Sequence, residues 1–304
     1  MNRITRRTFV GSLGAAATMP AFSGSRAAPG PIITRAIPKS GEKIPMIGLG
    51  TWITFNVGND ERLRAARAQV MQAFFDRGGT LIDSSPMYGS SEGVVGYGLA
   101  RTKHPALFSA SKVWTMFKPL GVNQMENSRK LWGIDHFDLM QVHNLLDWDT
   151  HLATLKDMKA QGRVRYIGVT TSQGWRHGDL ASVMRSEPID FVAFSYNIVD
   201  REVEDVLLPL AAEKGIAVII NRPFQEGALI NKMMNYPLPP WAADIDCANW
   251  AQFLLKFVIS HPAVTCVIPA TRRVDHVEEN MGAMLGRMPD ARMRARMARH
   301  AENV

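Results

Sequence analysis

Cysteine is nearly absent: the 304 residues hold only Cys247 and Cys266. Two thiols cannot build a disulfide framework or a multi-cysteine zinc site, and no metal is expected. Cys266 lies in the apolar run 264–268 and reads as a small buried hydrophobe. No apolar run approaches the ~20 residues that cross a bilayer, so stable membrane insertion is not expected. Nor is there a basic stripe interleaved with stacking aromatics, which nucleic-acid binding would require. The net charge is +7, but Arg3, Arg6, Arg7 and Arg26 stand in residues 1–27 without one acid, which leaves +3 for the rest. The densest later run of arginines, 287–299, reads as the solvated face of a C-terminal helix. With 46% hydrophobic and 21% charged residues, a disordered or low-complexity chain is excluded as well.

The acid-free start has an internal order. Thr5-Arg6-Arg7-Thr8-Phe9-Val10 leads into a Gly/Ala-rich apolar run over 9–22, then into Ser23-Gly24-Ser25-Arg26-Ala27-Ala28. A charged start, a short apolar centre and a zone of small residues are the parts of a secretory signal. The paired arginines before Phe9 resemble a twin-arginine signal, with Val10 and Gly11 departing from its usual pattern. Residues 1–27 are therefore read as a signal peptide and 28–304 as the folded domain. The resemblance implies folding in a bacterial cytoplasm, passage through the twin-arginine export machinery and a periplasmic destination.

From residue 44 onward, short β-branched or apolar runs alternate with longer stretches of helical period. Strands are expected at 46–52, 80–85, 107–114, 137–144, 164–172, 191–197, 217–224 and 265–270, with helices such as 61–77, 148–161, 203–214 and 250–260. Eight such alternations predict a parallel sheet covered on both faces. Closing it gives a (β/α)8 TIM barrel. The rival, an open doubly wound sheet, lacks its Gly-x-Gly-x-x-Gly, because Gly48-Leu49-Gly50 has no third glycine and no immediate helix. The stretch 36–43 is expected to form an N-terminal β-hairpin closing the barrel bottom.

In such a barrel the chemistry sits at the C-terminal ends of the strands. There the pattern places Asp83, Lys112 and His143, with Tyr88 in the loop after Asp83. The stretch Gly79-Thr80-Leu81-Ile82-Asp83-Ser84-Ser85-Pro86-Met87-Tyr88-Gly89-Ser90-Ser91-Glu92 resembles the signature of the aldo-keto reductase superfamily. Ser111-Lys112-Val113-Trp114 and Leu139-Met140-Gln141-Val142-His143 are similar to its next two strand ends. The resemblance implies reduction of a carbonyl by hydride transfer from a nicotinamide cofactor, NADPH in preference to NADH. Tyr88 would supply the proton, Lys112 would lower its pKa, Asp83 would hold Lys112, and His143 would orient the carbonyl oxygen.

The same resemblance places the cofactor on Thr170 and Thr171, on Asn221-Arg222-Pro223-Phe224, and on Thr271, Arg272, Arg273, Glu279 and Asn280. Several of these depart from the family's pattern. Thr170-Thr171 stands for Ser-Asn, Ala193 for a glutamine, the run Asn221-Arg222-Pro223-Phe224 for one with a stacking aromatic and, at Arg222, a pyrophosphate-binding serine, and Ala270 for a frequent lysine. Arg222 is expected to clamp the pyrophosphate; Arg272, Arg273 or His276 would meet the 2′-phosphate of NADP. Trp52, Met87 and Trp114 are expected to line a substrate pocket, with Met116, Phe117 and Trp148 on neighbouring loops. A small carbonyl compound is the expected partner. The alternative function is a nucleotide-binding redox sensor or partner subunit of the same fold with little turnover.

Overall fold

The computed structural model describes residues 32–304 except Pro105, so the signal-peptide reading of 1–27 lies outside the described residues. Its first pair of strands is the N-terminal hairpin: β1 (Thr34–Ala36) runs antiparallel to β2 (Lys43–Pro45). Eight parallel strands follow. They are β3 (Leu49–Gly50), β4 (Leu81–Asp83), β5 (Phe108–Val113), β6 (Phe137–Val142), β7 (Val164–Thr170), β8 (Phe191–Ser195), β9 (Ala217–Asn221) and β10 (Cys266–Val267), hydrogen-bonded in that order. Bridges from Ile47 to Val267 and from Gly50 to Ala270 join the last strand to the first. The sheet therefore closes, and the open-sheet rival is excluded.

The helices outside it are α1 (Glu61–Asp76), α2 (Ser91–Leu99), α3 (Lys118–Trp132), α4 (Trp148–Ala160), α5 (His177–Ser186), α6 (Leu207–Lys214), α7 (Ala228–Met233), α8 (Trp250–Ile259), α9 (Val274–Gly282) and α10 (Ala291–Glu302). Their starts follow local chemistry: the Asp60, Asn249 and Asp290 side chains each accept an amide of the first turn of α1, α8 and α10. The expected helix 203–214 is shorter than read. A separate turn, Glu202–Glu204, precedes α6.

Because helices cover the outer face and side chains fill the inner one, the strand residues are buried on both sides. The barrel interior is a cluster including Leu81, Phe108, Leu139, Phe191, Ile219 and Cys266. Ile37 and Ile44 of the hairpin belong to the same cluster and plug its lower end. One expectation at the C-terminus holds in part: Arg287, Arg292, Arg296 and Arg299 are exposed, as a solvated face requires. Arg294 of α10 is not on a solvated face: it donates to the Tyr196 hydroxyl at 2.6 Å and to Glu204 at 2.8 Å, with its side chain 12% exposed. The helix docks on the barrel through this cation.

Candidate active site

The floor of the site is set by strand ends. Asp83 closes β4, Lys112 is the penultimate residue of β5, and the register sets Lys112 beside Gln141 of β6. Lys112 Nζ lies 2.5 Å from Asp83 Oδ1 and 2.7 Å from the Ser84 carbonyl. Gln141 Nε2 donates to the other Asp83 oxygen at 3.3 Å. Thr51 Oγ1 fixes the turn beyond Asp83 by donating toward the Asp83 carbonyl and Ser84 Oγ, at 3.0 and 2.8 Å. Behind Lys112, the buried Glu92 carboxylate takes Ser111 at 2.6 Å and Ser128 at 2.7 Å, which locks α2 and α3 onto β5.

Tyr88 ends a short turn over Pro86–Tyr88, begun by Ser85, whose hydroxyl accepts the Met87 amide at 3.2 Å. Gly89 then reverses the chain at φ +62°, and a Cβ there would overlap the Asn56 amide that caps Ser90. Only glycine fits both demands. The Tyr88 ring sits 5.0 Å from Lys112 Nζ, edge-on to His143 at 5.6 Å and 4.9 Å from Trp52, measured to ring centroids. Ser85 also holds His143, with Oγ 2.8 Å from Nδ1. Ser85 Oγ has one hydrogen to give, and donating it to Nδ1 is the arrangement that leaves the imidazole hydrogen on Nε2, facing the cleft side used for a carbonyl.

Electrostatics define the resting state. Burial and the Lys112 charge hold His143 well below the ordinary histidine value, so it is neutral at pH 7. Burial works against the charge on Lys112, but the Asp83 carboxylate and Tyr88 outweigh it and its pKa stands above the usual lysine value. Burial lifts Asp83 against the pull of Lys112. The expectation for Tyr88 is corrected in its net direction. Lys112 does pull the phenol down, but burial is the larger effect and the pKa rises above the ordinary tyrosine value.

Above this floor opens a cleft of about 1570 Å³, against roughly 300–1,000 Å³ for an ordinary small-ligand site. All eleven residues assigned to the cofactor line it, from Thr170 to Asn280, as do Trp52 and Met87. Trp114 does not. Both its backbone groups are tied to the Gln124 side chain, at 2.6 and 3.0 Å, and the residue is 40% exposed. Met116, Phe117 and Trp148 also lie outside the lining, and Trp175, a residue the sequence pattern did not single out, stands at the mouth with 67% of its surface exposed.

Two cations expected to be free are engaged. Arg222 pairs with Glu226, and Arg273 pairs with Asp275, so a phosphate would have to compete for either. Asn221 is consumed as a brace, donating to the Thr171 carbonyl at 2.9 Å and accepting Ser195 Oγ at 2.6 Å. The residues nevertheless fit a nicotinamide dinucleotide. Thr171 Oγ1 and Asn144 Oδ1 are buried in the cleft wall with no partner in the protein, which suits a polar group such as a carboxamide.

A family model described as Aldo/keto reductase family matches residues 46–297. The chain belongs to that family. Among curated relatives of this aldo/keto reductase, a methylglyoxal reductase of Escherichia coli is 28% identical over 79% of this chain and 86% of its own. An aldo-keto reductase of Bacillus subtilis is 30% identical over 65% of this chain and 64% of its own. A solved aldo/keto reductase from Klebsiella pneumoniae, in complex with NADP and acetate, superposes with TM-score 0.74 at 23% identity, covering 88% of this chain and 94% of that one.

Proposed function

We propose that this aldo/keto reductase reduces an aldehyde or ketone with NADPH, with Tyr88 as the proton donor. The observation that carries the reading is the buried Lys112–Asp83 pair beside Tyr88 and the neutral His143, at the floor of a cleft large enough for a dinucleotide and a substrate together. NADPH, when bound, supplies the hydride. His143 Nε2–H donates to the carbonyl oxygen and fixes its direction. As negative charge grows on that oxygen, Tyr88 gives it a proton, and the Lys112 ammonium stabilises the phenolate left behind. In the oxidative direction Tyr88 takes the proton back.

Similarity to methylglyoxal reductases supports small reactive aldehydes as the first substrates to try, and one such E. coli relative, 25% identical, is NADH-specific, so both nucleotides belong in the test. Loss of NADPH absorbance is followed with an aldehyde panel. Turnover by wild type, abolished in Tyr88→Phe, supports the reading; nucleotide binding without turnover on any aldehyde favours the sensor alternative.

Thr5-Arg6-Arg7-Thr8-Phe9 and the apolar run after it support a second proposal, export of the folded protein to the periplasm. Replacing Arg6 and Arg7 by lysine should retain the protein in the cytoplasmic fraction. Unchanged distribution would discard the signal.

A further inference from the structure

Arg67 of α1 is 7% exposed, yet no carboxylate faces it among the described residues. Its one hydrogen bond there runs from Nε to the Thr54 carbonyl at 2.6 Å, which leaves both terminal nitrogens uncommitted. Arg67 lines the cleft, and so does Arg272, an exposed residue on the loop after β10 that also has no ion pair or hydrogen bond among the described residues. Other cations around the barrel are answered: Arg294 by Glu204, Arg165 by Asp138 and Glu42, Arg222 by Glu226, Arg273 by Asp275. Burial, and then the like charge of Arg272, both oppose the charge on Arg67. A guanidinium does not lose its proton at neutral pH, so the empty protein carries that cost.

We propose that Arg67 and Arg272 together bind a phosphate group of the dinucleotide, supplying the charge missing at Ala270. The assignment rests on reading the cleft as a dinucleotide site. Two forks of N–H donors suit the tetrahedral oxygens of a phosphate, and an anion between them relieves the repulsion. Through Nε and the Thr54 carbonyl, the bound phosphate is linked to the loop that carries Trp52 against Tyr88. Cofactor occupancy therefore steadies the wall of the substrate site.

Dissociation constants for NADPH and NADH, read from quenching of tryptophan fluorescence, test this in wild type, Arg67→Met, Arg67→Lys and Arg272→Ala, with ligand-free melting of each. Arg67→Met should weaken binding about 10- to 100-fold, as loss of charged hydrogen bonds does. Arg67→Lys should recover part of it. Without ligand, Arg67→Met should melt no lower than wild type, because a buried unpaired charge has gone. Arg272→Ala alters an exposed residue and should show the same loss without risk to folding. Equal weakening of both nucleotides places the phosphate in the shared pyrophosphate, and weakening of NADPH alone places it at the 2′ position; either supports the proposal. Unchanged affinity in Arg67→Met and Arg272→Ala would overturn it while leaving the cofactor reading intact. Wild type that bound neither nucleotide would overturn both.

Discussion

At the N-terminal end of the barrel most polar groups answer one another, Thr80 Oγ1 excepted, whereas at the C-terminal end several are left open. Below, Arg35 of the hairpin donates to the carbonyls of His261, Pro262 and Val264, and Lys39 to that of Ile189. Arg165 joins Asp138 to Glu42 at 2.6 and 2.5 Å, while the Tyr166 hydroxyl bonds Ser40 and Glu42. Above, Arg67 and Arg272 face the cleft without acids, and Thr171 Oγ1 and Asn144 Oδ1 have no partner. The backbone divides the same way. Ten of the eleven non-glycine residues of positive φ among the described residues, from Ile53 to Glu226, lie in segments that leave a strand's C-terminal end and lead to a helix; the other, Asp246, stands between α7 and α8. Each such residue costs on the order of 1 kcal/mol or more. One end of the sheet is built for stability, and the other holds backbone strain together with unmet hydrogen bonds that a ligand can satisfy.

The comparison can be pressed hardest at Tyr88. Tyr88→Phe removes the proton donor but keeps the ring, so carbonyl reduction should fall by roughly 10²–10⁴ while nucleotide affinity stays within about twofold. Retained turnover would take Tyr88 out of the mechanism and the open end would lose its central claim. A smaller effect is expected one shell away. Ser85→Ala strips His143 Nδ1 of its partner and should lower kcat/KM by about tenfold, with Ser85→Thr restoring part. An unaffected Ser85→Ala would mean that packing alone orients the imidazole.

At the other end the sign reverses. Arg165→Ala leaves Asp138 and Glu42 without their shared cation and should cost about 1–2 kcal/mol in denaturant unfolding, with kcat unchanged. A fall in kcat without a fall in stability would break the division between the ends. The smallest expected effect is one of pH. Burial, with Arg294 and Arg35 nearby, lowers His261 to about 4, and His143 is depressed too, so both are neutral when folded at pH 6. Between the ordinary histidine value near 6.5 and about 4, the unfolded chain takes up protons that the folded protein refuses. Stability should therefore decline as pH falls through that window and stay level with respect to these groups above it. Melting temperatures in His261→Gln, which should flatten part of that decline, check the assignment.

How far each end could be read from residues alone differs as well. Alternation of β-branched runs with helical period carried the eight strands, and the structure keeps all eight with shorter ends. Asp83, Tyr88, Lys112 and His143 were legible because they stand in a short motif and at strand ends, where the fold leaves little freedom of position. Trp114 lies outside the cleft lining, and the tie of its backbone to the Gln124 side chain of α3, ten residues on, is a contact that no local pattern carries. Trp175 was missed since nothing in the spacing of its loop shows that it reaches the mouth. Ser85 and Gln141 stood inside quoted motifs without a role, because a hydroxyl or an amide gains meaning only from the partner it meets.

Charge shows the same limit most sharply. By itself the sequence determined that the chain alternates strand and helix, that its ends of strand carry an acid, a lysine, a histidine and a nearby tyrosine, and that its cofactor segments depart from their relatives'. Local propensity, periodicity and motif spacing suffice for that, since each acts over a few residues. Which arginine is free was decided only by the tertiary structure. Arg222 and Arg273 looked available, yet each found an acid within four residues in the folded loop, whereas Arg67, in the middle of a helix with no signal around it, was brought to the cleft beside Arg272 by the packing of α1 on α9. Whether a charge is paired depends on desolvation and on neighbours distant in sequence, and those exist only once the barrel has closed.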